Sequence, residues 1–397
     1  PAFHSNKSMV NKQIMSPFAH LIDSRVDLSL SNQDDVFFLA ALRLARSAMG
    51  LTHPNPNVGA VIVKNGQLIA TGHTQSYGGM HGEVHALANA KADVAGATLY
   101  VTLEPCSHFG RTPPCTDAII NAGIKRVVYG TVDPHPLVFG QGVQKLSNAA
   151  VEVSSSLHPE LARMAKAHIA PFMTQIFKKR PYVVVKIASS KDGKIALKRG
   201  IRTKITGQAA DRVVHRLRES IDAVMVGANT ARMDNPKLFV RLVDQPRRQP
   251  ARVVLSSDLN LSDGLDIFDT KVTSTLVMTN ENLSTSTEPF TKLGVKLIGC
   301  KMHENAIDIE DALAKLSSLG FQSVLVEPGA VLFKSLMEHS FLVDEIWWFS
   351  SLCVLGRDGL DLGYTDTDLC QLGFFKHETH MIGEDELTIF KLSDSHR

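Results

Sequence analysis

Residues 99–120 read LYVTLEPCSHFGRTPPCTDAII. The first six, LYVTLE, make a short apolar run of buried-strand type, which Pro105 ends. After Pro113-Pro114 a helical pattern begins, so Cys115 falls in the first turn of a helix, where a preceding proline is favoured. Strand, cysteine-bearing loop and helix form one β-α unit. Upstream, HGEVHALANAK (81–91) reads as a helix starting at His81. Before it, AVIVK (60–64), Asn65-Gly66 and LIATGH (68–73) make a hairpin, since Asn-Gly is a strong two-residue turn signal. Val36, Phe37, Leu39, Ala40, Leu42, Leu44 and Ala45 recur at helical spacing over 34–48. Downstream, KRVVYGTV (125–132) is a strand. Alternating β and α of this kind is a layered α/β domain running to about residue 150.

Residues 157–180 read as helical and lead to Pro181, where a second alternation starts. Strands are expected at YVVVKIAS, DAVMVG, ARVVLSS, STLVMT, VKLIG, QSVLVEPG and DEIWWFSS. Thr206 is expected to cap a helix ending near Glu219; 307–320 and 331–339 are further helices, and HMIGEDELTIFKL closes the chain as a hairpin. The expected organisation is an extension over 1–33, a first domain over 34–180 and a second α/β domain over 181–397.

The chain has 397 residues with 42 Lys plus Arg against 40 Asp plus Glu, and 44% of it is apolar. That length and composition suit two or three folded domains and exclude general disorder. A net charge of +2 argues against coating nucleic acid by bulk electrostatics. No stretch approaches the roughly 18 apolar residues of a membrane helix, and Asp23 and Arg25 interrupt the best signal-like stretch. Five cysteines do not make a disulfide framework. We expect a cytoplasmic protein with no nucleic-acid or membrane partner, whose cysteines serve packing or metal. Cys300, Cys353 and Cys370, isolated in sequence, read as structural, and Trp347 and Trp348 as strand packing.

His81, Cys106 and Cys115 are the metal candidates. One imidazole and two thiolates from converging helix starts suit Zn²⁺ and leave a fourth position for water, whose pKa zinc lowers to about 7. Glu83, two residues from the histidine, can approach that water without ligating and carry protons. Histidine-x-glutamate followed by proline-cysteine and a second cysteine is the zinc-deaminase pattern, although eight residues rather than two separate the cysteines here. The bland readings are buried cysteines beside a surface histidine, or a closed structural zinc site completed by His85 or His108. A metalloprotease would place glutamate directly after the histidine.

These residues sit in a longer frame. HPNPNVGAVIV and DPHPLVFGQG flank the cysteine segment, and VVVKIASSKDGKIA, ITGQAADRVVHRLR, DAVMVGANTARMDNPKLFVR and SVLVEPG follow. That frame resembles the bifunctional riboflavin-biosynthesis deaminase/reductase family over about 35–393. The resemblance implies a cytidine-deaminase-like α/β/α domain followed by a dihydrofolate-reductase-like α/β domain. The first would hydrolyse the 2-amino group of a diaminopyrimidinone carrying phosphoribosylamine. The second would reduce the ribosyl group to ribityl with NADPH. His81, Cys106 and Cys115 then match zinc ligands and Glu83 the proton shuttle, with Asn55, His73 and Arg111 as deaminase substrate contacts. Ala188, Lys204, Thr230, Asp234, Ser257, Gly329 and Ala330 match NADPH positions. Lys186, Arg202, Arg218, Leu238, Arg241 and Glu327 match reductase substrate positions. The implied partner is a small phosphorylated pyrimidine, and a homo-oligomer is expected.

The chain departs from the family at several of these places. HGE stands for histidine-alanine-glutamate, Lys204-Ile205-Thr206 for tryptophan-isoleucine-threonine, Arg202 for a small polar residue, and Glu327-Pro328-Gly329-Ala330 for Glu-Gly-Gly-Pro. Proline there removes one backbone donor. On chemistry alone, Arg218 and Arg241 offer guanidinium forks for phosphate, whereas Arg212 and Arg216 read as solvated charges. The rival readings are a zinc deaminase with a degenerate reductase domain, a nucleoside or nucleic-acid deaminase, and a structural zinc module.

Overall fold

In the computed structural model, the residues described are 15–22, 32–110, 112–133, 139–155, 157–198 and 200–393. The chain divides into two compact units, Pro1–Lys178 and Lys179–Arg397.

In the first unit the elements are α1 (Gln33–Ser47), β1 (Gly59–Lys64), β2 (Gln67–His73), α2 (Gly82–Ala88), β3 (Thr98–Val101), α3 (Cys115–Asn121), β4 (Arg126–Tyr129), α4 (Gln141–Asn148), β5 (Glu152–Ser154), α5 (Pro159–His168) and α6 (Ala170–Lys178). The sheet order is β2-β1-β3-β4-β5, with β3, β4 and β5 parallel and the β1–β2 hairpin antiparallel. Asn65 and Gly66 both hold positive φ, as an Asn-Gly hairpin turn requires. The two-residue period of the strands divides the core. Ala60, Ile62, Leu99 and Val127 pack with Ala86, Ile119 and Leu146 of α2, α3 and α4. Val61, Val63, Tyr100 and Val128 pack with Phe38, Leu42, Leu161 and Met164 of α1 and α5. Three layers, α/β/α, result.

The second unit contains β6 (Tyr182–Ser189), β7 (Lys194–Ala196), α7 (Gln208–Ser220), β8 (Ala223–Gly227), α8 (Ala228–Asp234), β9 (Ala251–Leu255), β10 (Thr275–Asn280), α9 (Glu288–Lys292), β11 (Lys296–Cys300), β12 (Met302–His303), β13 (Ala306–Ile307), α10 (Ile309–Ser318), β14 (Ser323–Val326), α11 (Ala330–Glu338), β15 (Glu345–Ser350), β16 (Leu360–Asp361), α12 (Asp366–Gln371), β17 (Phe374–Ile382) and β18 (Asp385–Leu392). Nine strands form one sheet, β11-β10-β9-β8-β14-β6-β15-β18-β17. It is parallel from β11 to β15, and the terminal hairpin adds two antiparallel strands. One face buries Val183, Val185, Met225, Val253, Val324 and Ile346 against Leu313 and Leu316 of α10 and Phe333 and Leu336 of α11. No helix among the described residues is long and apolar enough to cross a membrane.

Several expectations need correction. Thr206 is not the cap of α7: Gly207 is, and Asp385 Oδ2 accepts from its N–H at 2.7 Å, so a contact from β18 sets where the helix begins. Cys370 lies exposed on α12 and has no packing role, whereas Cys300 is buried. Within the expected extension, Phe18 is fully buried and Met15 packs against the α1–α5 side of the core; 1–14 and 23–31 lie outside the described residues. Helix α4 and strand β5 were not anticipated, nor was α8, because segments of three to eight residues complete too little of a period to stand out.

Candidate functional site

Two helix starts and one loop meet in the first unit. His81 is the N-cap of α2, Cys115 the first residue of α3 behind the N-cap Pro114, and Cys106 lies in the loop after β3. Gly72 of β2 lets α2 approach this closely, since a Cβ there would stand 2.3 Å from the Ala86 nitrogen and 2.5 Å from the Gly82 oxygen. His81 Nδ1 lies 3.6 Å from Cys106 Sγ and 3.3 Å from Cys115 Sγ, and the three ligand atoms fall within 4.8 Å of one another. Thr112 Oγ1 stands 3.5 Å from His81 Nε2, which leaves Nδ1 as the atom facing the sulfurs. Cys115 and His81 together hold the Cys106 thiol well below the ordinary thiol range, while Cys106 and burial push Cys115 up. A thiolate that forms readily between an imidazole and a second sulfur is the donor set zinc favours. Glu83 is 4% exposed, hydrogen-bonded to Cys115, and pushed up to about 7 by burial and then by Cys106. A carboxyl near 7 both takes and gives a proton at neutral pH. His81, Glu83 and Cys106 open on a cavity of about 350 Å³ that Asn55, Glu104, His108 and Asp133 also line.

In the second unit the chemistry collects at the carboxyl ends of parallel strands, where α/β sheets bind ligands. Glu327 follows β14 and Arg218 lies on α7. Arg218 Nε and one terminal nitrogen donate to the two Glu327 oxygens at 2.7 and 2.8 Å, and the other donates to the Phe239 carbonyl at 3.3 Å. Lys186 of β6 belongs to the same group: burial holds its ammonium below the ordinary lysine value, against the pull of Glu327. Burial pushes Glu327 up, but Arg218 and Lys186 outweigh it and the carboxyl stays below its ordinary range. Leu238 holds φ 53° and is buried, and the Arg241 N–H donates to His215 Nδ1 at 3.0 Å. Gly329 is the N-cap of the nine-residue α11 and makes no side-chain cap hydrogen bond, so no cap side chain takes the first-turn backbone donors. Thr230 Oγ1 stands 3.2 Å from where a Cβ on Gly329 would be, so the starts of α8 and α11 converge. Uncapped donors beside a threonine hydroxyl fit a phosphate-bearing cofactor.

The chain matches two family models: the cytidine and deoxycytidylate deaminase zinc-binding region over 31–131, and the RibD C-terminal domain over 181–370. The riboflavin biosynthesis protein RibD of Aquifex aeolicus is 39% identical over 360 residues, covering 90% of this chain and 98% of the relative. The chain belongs to the RibD family. Acinetobacter baumannii RibD superposes with a TM-score of 0.79 at 33% identity, over 91% of this chain and 99% of that one. A Thermotoga maritima structure described as a diaminohydroxyphosphoribosylaminopyrimidine deaminase/5-amino-6-(5-phosphoribosylamino)uracil reductase gives 0.79 at 36% identity, with the same coverage.

Against the RibD frame, the structure brings His81, Cys106, Glu83 and Asn55 to one cavity, with the fully buried Cys115 grouped with His81 and Cys106. It does not bring His73 there: its ring packs edge-on against His85 at 5.3 Å and its Nδ1 faces the Thr74 carbonyl, while Thr74 lines the cavity. His85 is engaged by Gln75 at 2.9 Å, away from the sulfurs, so it is no fourth ligand, and His108 stands outside the metal group. Arg111 lies outside the described residues. In the second unit Lys186, Arg218 and Glu327 form one cluster. Ala188, Thr230, Ser257, Gly329 and Ala330 sit at or just after the ends of β6, β8, β9 and β14. Arg202 acts on the Asp234 carboxyl, which burial pushes up. Lys204 pairs with Asp211 at 3.1 Å on the exposed side of α7. The phosphate fork expected of Arg218 is already filled by Glu327, whereas Arg241 is exposed and its guanidinium has no hydrogen-bond or ion-pair partner among the described residues. Sequence reasoning missed Glu104, Asp133 and His215. The first two stand inside quoted motifs, and His215 lies one helical turn before Arg218.

Proposed function

We propose that this chain performs both reactions named for its Thermotoga relative, one in each unit. In the first, water adds to the carbon bearing the 2-amino group of the phosphoribosylaminopyrimidine and ammonia leaves. His81, Cys106 and Cys115 hold zinc, which when bound makes hydroxide available at neutral pH. Glu83, itself almost fully buried, takes the proton of the attacking water and passes it to the departing amine. Asn55 orients the ring from the cavity wall. In the second, bound NADPH would supply the hydride that reduces the ribosyl group to ribityl. Thr230, Ser257, Gly329 and Ala330 hold the cofactor, with Ala188, Lys204 and Asp234 beside them. Arg241, Arg202 and Leu238 receive the phosphorylated substrate, and Lys186 is the half-buried proton donor that the Arg218–Glu327 pair holds in place. The substrate is thus a small phosphorylated pyrimidine, and we read the chain as cytoplasmic and homo-oligomeric.

One observation carries this reading: a His-Cys-Cys cluster with a buried glutamate beside it, in the same chain as a Lys-Arg-Glu cluster, built round the buried Arg218, at reductase-type strand ends. The match to both family models favours two activities over a deaminase with a degenerate partner domain. The test follows ammonia release and NADPH absorbance together on the diaminopyrimidine substrate. NADPH is oxidised once deaminated intermediate accumulates. Zinc-dependent ammonia release with no NADPH oxidation would leave a deaminase alone. Ammonia release surviving Glu83→Ala would overturn the proton-shuttle assignment.

A further inference from the structure

Glu104 is 2% exposed and lies two residues before Cys106. Its carboxylate accepts three backbone N–H bonds: Oε2 from Asp133 at 3.1 Å and Gly140 at 3.0 Å, Oε1 from Val143 at 3.1 Å. Its own N–H donates to the Thr131 carbonyl at 2.9 Å. Gly140 is the N-cap of α4 with φ 72°, so the negative charge stands at the start of that helix, where it is favoured. Gly142 allows the approach, since a Cβ there would stand 2.0 Å from the Pro105 carbonyl oxygen. Cys106 is tied on its other side to α3 by the Thr116 N–H at 3.1 Å. One buried carboxylate therefore joins the loop that carries a zinc ligand to Asp133, which lines the deaminase cavity, and to the start of α4.

We propose that Glu104 is a positioning residue of the deaminase: it fixes Asp133 in the cavity wall relative to the Cys106 loop, and so governs how substrate is held rather than metal binding or proton transfer. This rests on the deaminase reading of the cavity. Glutamine at 104 cannot satisfy the three donors. Whichever way the amide turns, its NH₂ faces at least one backbone N–H, and a buried donor loses its acceptor.

The experiment compares the full chain with Glu104→Gln, Asp133→Asn and the double variant. It reads zinc per chain, ammonia-release kinetics, and NADPH oxidation on supplied deaminated intermediate as a control that the second unit is intact. Glu104→Gln is expected to keep zinc and NADPH oxidation, to raise KM for the diaminopyrimidine by ~10-fold or more, and to change kcat by less than ~3-fold. The double variant should be within ~2-fold of Asp133→Asn alone, because the two act through one wall. Loss of zinc, a fall in kcat at unchanged KM, or additive effects would each overturn the proposal. Should Glu104→Gln lose NADPH oxidation through misfolding, Gly142→Ala perturbs the same junction from the helix side. It must then reproduce the KM change, or the proposal fails. If the parent chain releases no ammonia, the deaminase reading fails. The junction is then judged by amide exchange at Gly140 and Val143, which Glu104→Gln must speed by ~10-fold or more.

Discussion

Glu327→Ala tests the second unit most directly. The Arg218–Glu327 pair is bidentate, at 2.7 and 2.8 Å, and its side chains are only 11% and 18% exposed. Removing the carboxylate leaves a guanidinium buried next to the Lys186 ammonium, two like charges that lose their strongest counter-ion and keep only the weaker pull of Asp211 and Asp385 on Lys186. Breaking one side of a buried pair costs about 3–5 kcal/mol. For a domain of this size each kcal/mol lowers Tm by roughly 2–4 °C, so the second unit should melt roughly 6–20 °C lower. Reductase activity falls with it, since Lys186 loses the group that supports its charge. Stability and function separate in a second variant, Arg218→Met with Glu327→Leu. Replacing both partners with apolar groups restores most of the stability, because no guanidinium is left unpaired beside Lys186, whose ammonium keeps Asp211 and Asp385 as carboxylate neighbours. It does not restore NADPH oxidation if the cluster is chemical. Scanning calorimetry of the whole chain, with ammonia release as a control on the first unit, reads both. A loss below about 1 kcal/mol in Glu327→Ala would refute the buried-pair reasoning. Full reductase activity in the double variant would refute the catalytic assignment of the cluster.

Three further outcomes follow from the geometry. Cys115→Ser should lose zinc and ammonia release while NADPH oxidation on supplied intermediate persists, measured by metal analysis and the two assays. Glu83→Gln should retain zinc and lower deaminase kcat by about 10²–10⁴-fold, the usual contribution of a positioned proton carrier. His215 is pushed down to about 4 by burial and by Arg218 and Arg241. The unfolded chain therefore binds a proton that the folded unit refuses between about pH 6.5 and 4. Stability of the second unit should fall by up to roughly 3 kcal/mol as pH drops through that window, and His215→Gln should flatten the fall in acid-denaturation midpoints.

The long periodic elements were readable because burial writes them into sequence. The hairpin at Asn65-Gly66 and the eight-residue strand β6 repeat one signal over several residues, whereas the seven-residue helices α2 and α3 were legible from the motif residues at their starts, His81 and Pro113-Pro114-Cys115. What was not readable depends on contacts distant in sequence. The start of α7 is set by Asp385, which lies 178 residues from Gly207. His73 and Thr74 alternate faces at the end of β2, so motif counting could not say which side chain reached the cavity. The partnership of Arg218 with Glu327 spans 109 positions. Either residue alone reads as a ligand contact, and only the fold reveals that they bind each other.

The basic stretch from 199 to 252 shows the same limit, and it ends in a test. It holds ten Arg and two Lys against four Asp and one Glu, which invites the reading that the stretch exists to bind phosphates. The structure instead commits much of that charge internally. Arg218 pairs with Glu327, Arg247 with Glu219 at 3.3 Å and Arg248 with Asp222 at 3.5 Å. Arg252 is fully buried, donates to the carbonyls of Asp266, Asp269 and Thr273, and stacks 5.0 Å over Phe239. Arg241 and Arg202 remain exposed beside the proposed ligand positions. Excess charge in sequence thus overstates charge available to a ligand. Arg241→Ala should raise KM for the phosphorylated substrate by about 10–100-fold, the worth of a charge-assisted bond of about 1.5–3 kcal/mol, and leave Tm unchanged. Arg252→Met should do the reverse, lowering Tm through its orphaned carbonyls while KM in the surviving folded fraction stays within about threefold. Equal KM effects from the two variants would show that phosphate binding draws on the net charge of the stretch rather than on the exposed Arg241 fork.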